Sequence, residues 1–463
     1  MTAPTLEYGE KKVFGEPSQE GEHAVYEQEP DQNTSPAPTD EEHLDARSIA
    51  ESQLPPAPDG GLHAWLKVVG GFLIYINIWG FTLSFGAFQA YYSGNILSNM
   101  TASSISWIGT IQAWLLIVVG VLSGPLFDRG YFRSMLCIGN FLVVFGIMML
   151  SLSTKYWQIF LSQGICMGIG AGLLYIPSLA LVGIWFDKKR SIAMGLVMSG
   201  IAIGGIMYIL MLNRLVPMLG FPWAIRCIGF IALGAALLSF PALLSGSKVL
   251  TRPRKARKLF DKTALKDPLT LLFTLSSFLN FIGYNIPYFY IPTYAREALG
   301  TSQSLALYTL VMAVAASFFG RITCGFVAQY IGNIVGWCLC SVISAVLAFS
   351  WISITTVPTF IAFAILWGFL SASLVTLPAS AFATICPDLS RLGTRMGMSW
   401  SVSSIATLIG PPIAGQLIRT KEDGKVDFLG LQLWSGIFLL VTSCTLSILW
   451  YVSMKKLGKG WRI

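Results

Sequence analysis

The stretch Gly124-Pro-Leu-Phe-Asp128-Arg129-Gly130 closes one long apolar run, and a weaker version, Gly325-Phe-Val-Ala-Gln329-Tyr-Ile-Gly332, closes another 201 residues later. That interval is close to half of the apolar body of the chain. A loop pattern repeated at such spacing, each time after an apolar run, points to two related halves of one membrane bundle.

Working outward from these loops, twelve apolar runs fall between Leu66 and Met454. Each is close to the roughly 20 residues a helix needs to cross a bilayer. The first, Leu66–Ala90, reads LKVVGGFLIYINIWGFTLSFGAFQA. The longest connection expected on the tail side, Ser245–Asp267, divides the runs six and six. The expected organisation is therefore an acidic tail (1–60), a six-helix bundle (61–245), a basic linker (246–267), a second bundle (268–455) and a short end (456–463). The fold class is all-α membrane protein, with twelve transmembrane helices in two pseudo-symmetric bundles.

Composition supports this division. Of the 463 residues, 54% are hydrophobic and 12% charged, against about 25% charged in a soluble globular protein. A soluble enzyme and a mostly disordered chain are both excluded. Residues 1–62 hold three Lys/Arg against fourteen Asp/Glu, so an acidic segment precedes a basic body. The tail is too poor in large apolar residues to offset its chain entropy, and disorder is expected there. Connections on the tail side carry nineteen Lys/Arg and the opposite side six. The positive-inside rule then puts both termini in the cytoplasm, as an even number of spans requires. The linker run Arg252, Arg254, Lys255, Arg257, Lys258, with Leu259 and Phe260, suits an anionic leaflet.

All three histidines precede the apolar body, which leaves it without imidazole for metal binding or general-base work. Eight cysteines are scattered with no CxxC pair, so neither a zinc site nor a disulfide framework is indicated. No metal, cofactor or nucleic-acid partner is expected. The expected partners are a small-molecule cargo with anionic character, protons as a candidate coupling ion, and the lipid bilayer.

At these loops the chain resembles the major facilitator superfamily, and within it the monocarboxylate porter family, particularly its fungal members. Asp59-Gly60-Gly61 followed by Trp65 is similar to that family's entry to helix 1. Trp185-Phe186-Asp187-Lys188-Lys189-Arg190 is similar to its entry to helix 5. Pro287-Tyr288-Phe289-Tyr290-Ile291-Pro292, Gly393-Thr394-Arg395-Met396-Gly397 and Gly410-Pro411-Pro412-Ile413-Ala414-Gly415 resemble the fungal branch. The resemblance runs from about residue 55 to 455. It implies two six-helix bundles around a midplane cavity and a secondary transporter of a small organic acid or anionic metabolite, probing both membrane faces in turn. Alternatives are an exporter of a fungal secondary metabolite, vitamin (flavin-like) uptake, and a non-transporting nutrient sensor. The expected location is the plasma membrane.

The chain also departs from the animal branch of that family. There, helix 8 pairs an Asp with an Arg one turn later and helix 1 supplies a Lys, together coupling a proton to a carboxylate. Arg321 matches the Arg, but Ser317 stands four residues before it, and no Lys occurs between Lys67 and Lys155. Proton-coupled transport of lactate-like acids by that mechanism is therefore not expected.

Arg321 is read as the one basic residue well inside a span, apart from Arg226 near an end. An ionisable residue at such depth is costly and faces a cavity or a partner, and the guanidinium fork fits a carboxylate or phosphate. It is the candidate anion anchor. Further substrate-binding candidates are Asn77, Tyr175, Asn280, Tyr284 and Asn285, polar or aromatic residues in spans that line the central path in this superfamily. Gate candidates are Asp128, set against the start of helix 11, with Arg129 and Arg133 meeting Asp187 or Asp388, and Arg395. Glycines recurring every four residues (Gly164, Gly168 and Gly172; Gly200 and Gly204) predict close helix packing.

Overall fold

The computed structural model describes residues 59–186, 189–246, 259–386, 391–420 and 426–457. The acidic tail up to residue 58, the basic run Arg252–Lys258 and the gate candidates Asp187 and Asp388 lie outside these residues.

Nearly all described backbone is helical. In a bilayer each unpaired amide or carbonyl costs several kcal/mol, and a helix satisfies its own. The spans are α1 (Leu62–Leu83), α2 (Ala102–Asp128), α3 (Phe132–Leu150) and α4 (Tyr156–Trp185). A continuous helical tract, Arg190–Leu244, follows. It is broken at Gly220, whose φ of 74° is the left-handed backbone glycine tolerates. That break makes two spans, α5 (190–219) and α6 (221–244). Next come α7 (Pro268–Glu297), α8 (Gln303–Ile331), α9 (Asn333–Ser350), α10 (Val357–Ile385), α11 (Leu392–Gln416) and α12 (Leu429–Leu457). A two-residue hairpin, β1 (Arg419–Thr420) with β2 (Val426–Asp427), joins the last two. The expected twelve spans are present. Ten apolar helices supply eleven of them, and α11, rich in Ser and Gly, is the twelfth.

The glycine stripes are packing seams. A Cβ at Gly164, Gly168 or Gly172 of α4 would lie 2.6 Å from Ile111, 2.9 Å from Leu115 or 2.5 Å from Val119 of α2. The partners also recur every four residues, so one ridge of α2 lies in the groove the glycines open. Gly200 and Gly204 of α5 do the same against the backbone of α1 at Phe72 and Ile76. There α1 widens into a π-turn over Ile76–Gly80, and Gly80 meets the backbone of Gly204.

The two bundles touch most closely at the end away from the linker. A Cβ at Gly86 of the first bundle would lie 2.2 Å from the Tyr288 carbonyl of α7, and the Phe85 and Phe289 rings stand 5.0 Å apart. At the same end Gly415 of α11 packs on Ser103 of α2. Deeper in, Gly205 of α5 faces Val314 of α8, where an added Cβ would lie 3.1 Å from Val314 Cγ1. At the linker end, Gly397 of α11 faces Val121 of α2, whose Cγ1 would lie 3.0 Å from a Cβ at that position. The α2–α11 seam therefore runs the length of the molecule.

Candidate functional site

Arg321 follows Gly320, and that order of residues sets its position. Lacking a side chain, Gly320 lets α8 press onto α10 until a Cβ there would stand 1.9 Å from the Phe369 carbonyl. Gly368 of α10 makes the reciprocal approach to Ala313. The crossing pins α8 immediately beside Arg321, about ten residues and hence roughly 15 Å from the helix's linker end. The side chain is half-buried, and its Nε is buried without a hydrogen-bond partner among the described residues. Ser317, one turn earlier, is no substitute for an acid, because its hydroxyl donates to the Val314 carbonyl of its own helix at 2.7 Å.

Asn280, Tyr284 and Tyr288 recur every four residues along one face of α7. Tyr284 and Tyr288 are buried, with rings 5.4 Å apart, and both lie within electrostatic reach of Arg321. The Tyr288 and Ser371 hydroxyls are 3.0 Å apart, which ties the face to α10. Asn280 completes it: its Nδ2 donates to the Leu374 carbonyl at 3.0 Å, while its Oδ1 is buried without a partner among the described residues. The structure thus brings Arg321, Tyr284 and Asn280 to one neighbourhood and adds Tyr288. Sequence reading missed Tyr288, although its spacing from Tyr284 was a usable signal.

The other candidates part from this group. Asn285 points toward α11, its Nδ2 3.4 Å from the Thr407 hydroxyl and 3.3 Å from the Phe281 carbonyl. Asn77 lies apart from the Arg321 group. It is buried in the first bundle, donating to the Ala232 carbonyl of α6 at 3.0 Å and accepting from the Tyr208 hydroxyl of α5 at 2.7 Å. A buried amide tends to be satisfied by neighbouring helices, and this one is, so it serves as a tie between spans. Tyr175 is held among aromatic rings, 5.3 Å from Trp79 and 6.0 Å from Tyr75. Beside it the Trp79 indole Nε1 is buried without a partner.

A second buried cation corrects the reading of Arg321 as nearly alone. Lys67 of α1 is 1% exposed. Its ammonium donates to the carbonyls of Ala242 (3.2 Å), Leu243 (2.8 Å) and Ser245 at the end of α6, and lies 5.2 Å from the Trp185 ring. A cation at a helix C-terminus meets both the unpaired carbonyls and the negative end of the dipole. Around it the two entry motifs meet. The Asp59 amide donates to the Trp185 carbonyl at 3.2 Å, and Trp65 packs edge-on against Phe186 at 5.3 Å.

Of the gate candidates, Arg129 and Arg133 are exposed and Asp128 is half-buried at the end of α2. The Val121–Gly397 contact brings that end to the level of the start of α11. Arg395, the remaining gate candidate, has partners at the end of the linker. It turns into its own bundle, its Nε 3.0 Å from Asp261 Oδ2 and its Nη1 3.6 Å from Asp267 Oδ2, with Nη2 donating to the Thr263 hydroxyl at 2.9 Å. Lys456 of α12 reaches Asp267 at 2.9 Å. The Thr263 hydroxyl, and after it Arg395, hold the Asp261 carboxyl down at about 2. Burial pushes Asp267 up, but hydrogen bonds from Lys456 and Thr270 outweigh it and hold it below the usual range. The acids were missed because they sit in a linker that reads as basic.

Comparison with known proteins agrees with the architecture. The family model described as Major Facilitator Superfamily matches residues 68–411. The aspyridones efflux protein apdF of Emericella nidulans is 38% identical over 88% of this chain and 82% of its own length. The agnestins efflux protein AgnL12 of Paecilomyces divaricatus is 34% identical over 88% of this chain and 92% of its own. The solved nucleoside transporter NupG superposes with a TM-score of 0.65 at 13% identity, over 83% of this chain and 98% of that one. The chain belongs to the major facilitator superfamily and is a multi-pass membrane transporter. The family match is to the superfamily as a whole and is broader than the monocarboxylate branch the sequence resembles.

Proposed function

We propose that this transporter exports an acidic secondary metabolite, whose anionic group is held by Arg321. The observation that carries the anionic part is the buried Arg321 Nε, left without a hydrogen-bond partner among the described residues. A buried guanidinium donor without an acceptor costs free energy, and a carboxylate or phosphate supplied by the cargo removes that cost with two parallel hydrogen bonds. Tyr284 and Tyr288 offer apolar ring faces beside it for the body of the cargo. Export is favoured over uptake of short monocarboxylates by the similarity to efflux proteins for aspyridones and agnestins. The missing acid at Ser317 argues the same way. In this reading both termini are cytoplasmic, the membrane is the plasma membrane, and alternation between inward and outward access exchanges contacts along the α2–α11 and α1–α7 seams. Whether protons drive it is decided by imposing a gradient in the same assay.

The test is flux in proteoliposomes, comparing an aromatic carboxylic acid with its neutral methyl ester. Saturable transport of the acid that exceeds that of the ester, lost in Arg321→Gln, supports the reading. Equal handling of acid and ester by the wild-type protein overturns it.

A further inference from the structure

The end of the linker has two unlike faces. Inward, Asp261 and Asp267 are 12% and 13% exposed and are spent on Arg395 and Lys456. The Asp261 amide also donates to the Met398 sulfur of α11 at 3.2 Å. Outward, Leu259, Phe260 and Leu265 are 47%, 54% and 54% exposed. Lys262 and Lys266, in the short 3-10 turn between them, are exposed as well. Next to this turn, where Lys456 meets Asp267, α12 ends with Lys455 exposed and Tyr451 at 60% exposure. The face therefore combines three large apolar side chains, an aromatic ring and three lysines, with the nearby carboxylates turned inward and neutralised.

That face stands at the membrane end of α7 and α12, where water gives way to lipid headgroups. Exposed Leu and Phe there are poorly matched to water and well matched to the boundary with the acyl chains. Lysines beside them match anionic headgroups, and a Tyr at a span's end belongs to the interfacial aromatic belt. We propose that Leu259–Lys266, with the end of α12, is a docking site for anionic phospholipid. The apolar side chains enter the leaflet, and Lys262, Lys266 and Lys455 contact phosphate or serine headgroups. The site bears on transport through Asp261 and Arg395, because Arg395 lies two residues before Gly397, where α11 meets α2. A lipid held on the outer face steadies the inner one and with it the linker end of that seam.

The experiment measures thermal unfolding of the full-length protein in detergent micelles. Phosphatidylserine, phosphatidylcholine or soluble inorganic phosphate is titrated in. Phosphatidylserine should raise the melting temperature saturably, while phosphatidylcholine and free phosphate should not. Lys262→Gln with Lys266→Gln should shift the midpoint of that titration about thirtyfold, since each basic residue near an anionic surface contributes roughly fivefold. Phe260→Ser should weaken the response while leaving the charges in place. Both changes are on exposed side chains, so the lipid-free melting temperature should stay near that of the wild type. Equal shifts with phosphatidylserine and phosphatidylcholine, or an unchanged midpoint in the double variant, overturn the proposal. A response to inorganic phosphate alone does so too, because it would mark a simple anion site.

Discussion

The first bundle and the second each bury a cation at the linker half of a span, and the two are treated in opposite ways. Lys67 is enclosed by the carbonyls that end α6 and by the Trp185 ring. Arg321 lies within electrostatic reach of two tyrosines, with its Nε unpaired among the described residues. Both pay a desolvation penalty, but only Lys67 recovers it from the protein. Buried charge by itself therefore does not mark a binding site. The proposed anion site rests instead on a buried donor, the Arg321 Nε, that has no acceptor among the described residues.

The difference makes separable predictions, the largest at Arg321. Arg321→Gln should lower flux of the acidic cargo about a hundredfold, the usual consequence of removing one side of a buried charge pair. Its melting temperature should stay near the wild type, because the Arg321 Nε makes no hydrogen bond to lose among the described residues. A variant that unfolds but binds normally would reverse the roles assigned here.

Lys67→Gln should do the opposite. Leaving the α6 carbonyls without their donor should cost about 3 kcal/mol, while cargo affinity in the folded fraction stays unchanged. Melting curves and binding isotherms on the same preparation separate the two effects. Gly320→Ala sharpens the comparison, since the added methyl would collide with the Phe369 backbone. A loss of roughly 2 kcal/mol is expected from overpacking, with a further fall in flux because Arg321 moves with α8.

The smallest effect belongs to Arg395→Gln, about 1 kcal/mol, because Asp261 keeps Thr263 and Arg391 and Asp267 keeps Thr270 and Lys456 as partners. Its pH dependence has a definite sign. The Asp261 carboxyl is held at about 2, below its ordinary 3.8. Its contribution is therefore complete above about pH 4 and is lost as pH falls toward 2. The melting temperature should be flat between neutral pH and about pH 5 as far as this cluster is concerned. A change in the Arg395-dependent part within that window would show that another group titrates there.

Much of the fold was readable because lipid leaves few choices. Apolar runs near twenty residues become helices, and glycines four apart become seams, as Gly164, Gly168 and Gly172 do against α2. Gly220, by contrast, joins two spans in one tract that hydropathy alone separates only loosely. The site was readable in part. Arg321 stood out by depth, and Tyr284 by its span, but Asn77 and Tyr175 look alike in sequence and each is taken up by neighbours in the first bundle.

The linear sequence alone determined the number of spans, their division into two halves and the charge difference between their ends. Those properties follow from local hydropathy and from the cost of an unpaired backbone in lipid. Only the tertiary structure decided which buried polar groups are spent. Lys67 meets carbonyls some 175 residues away, Arg395 meets acids 134 and 128 residues before it, and the Arg321 Nε meets no acceptor among the described residues. Whether a charge is structural or available depends on the atoms within about 3 Å of it, and in a bundle those atoms come from other helices.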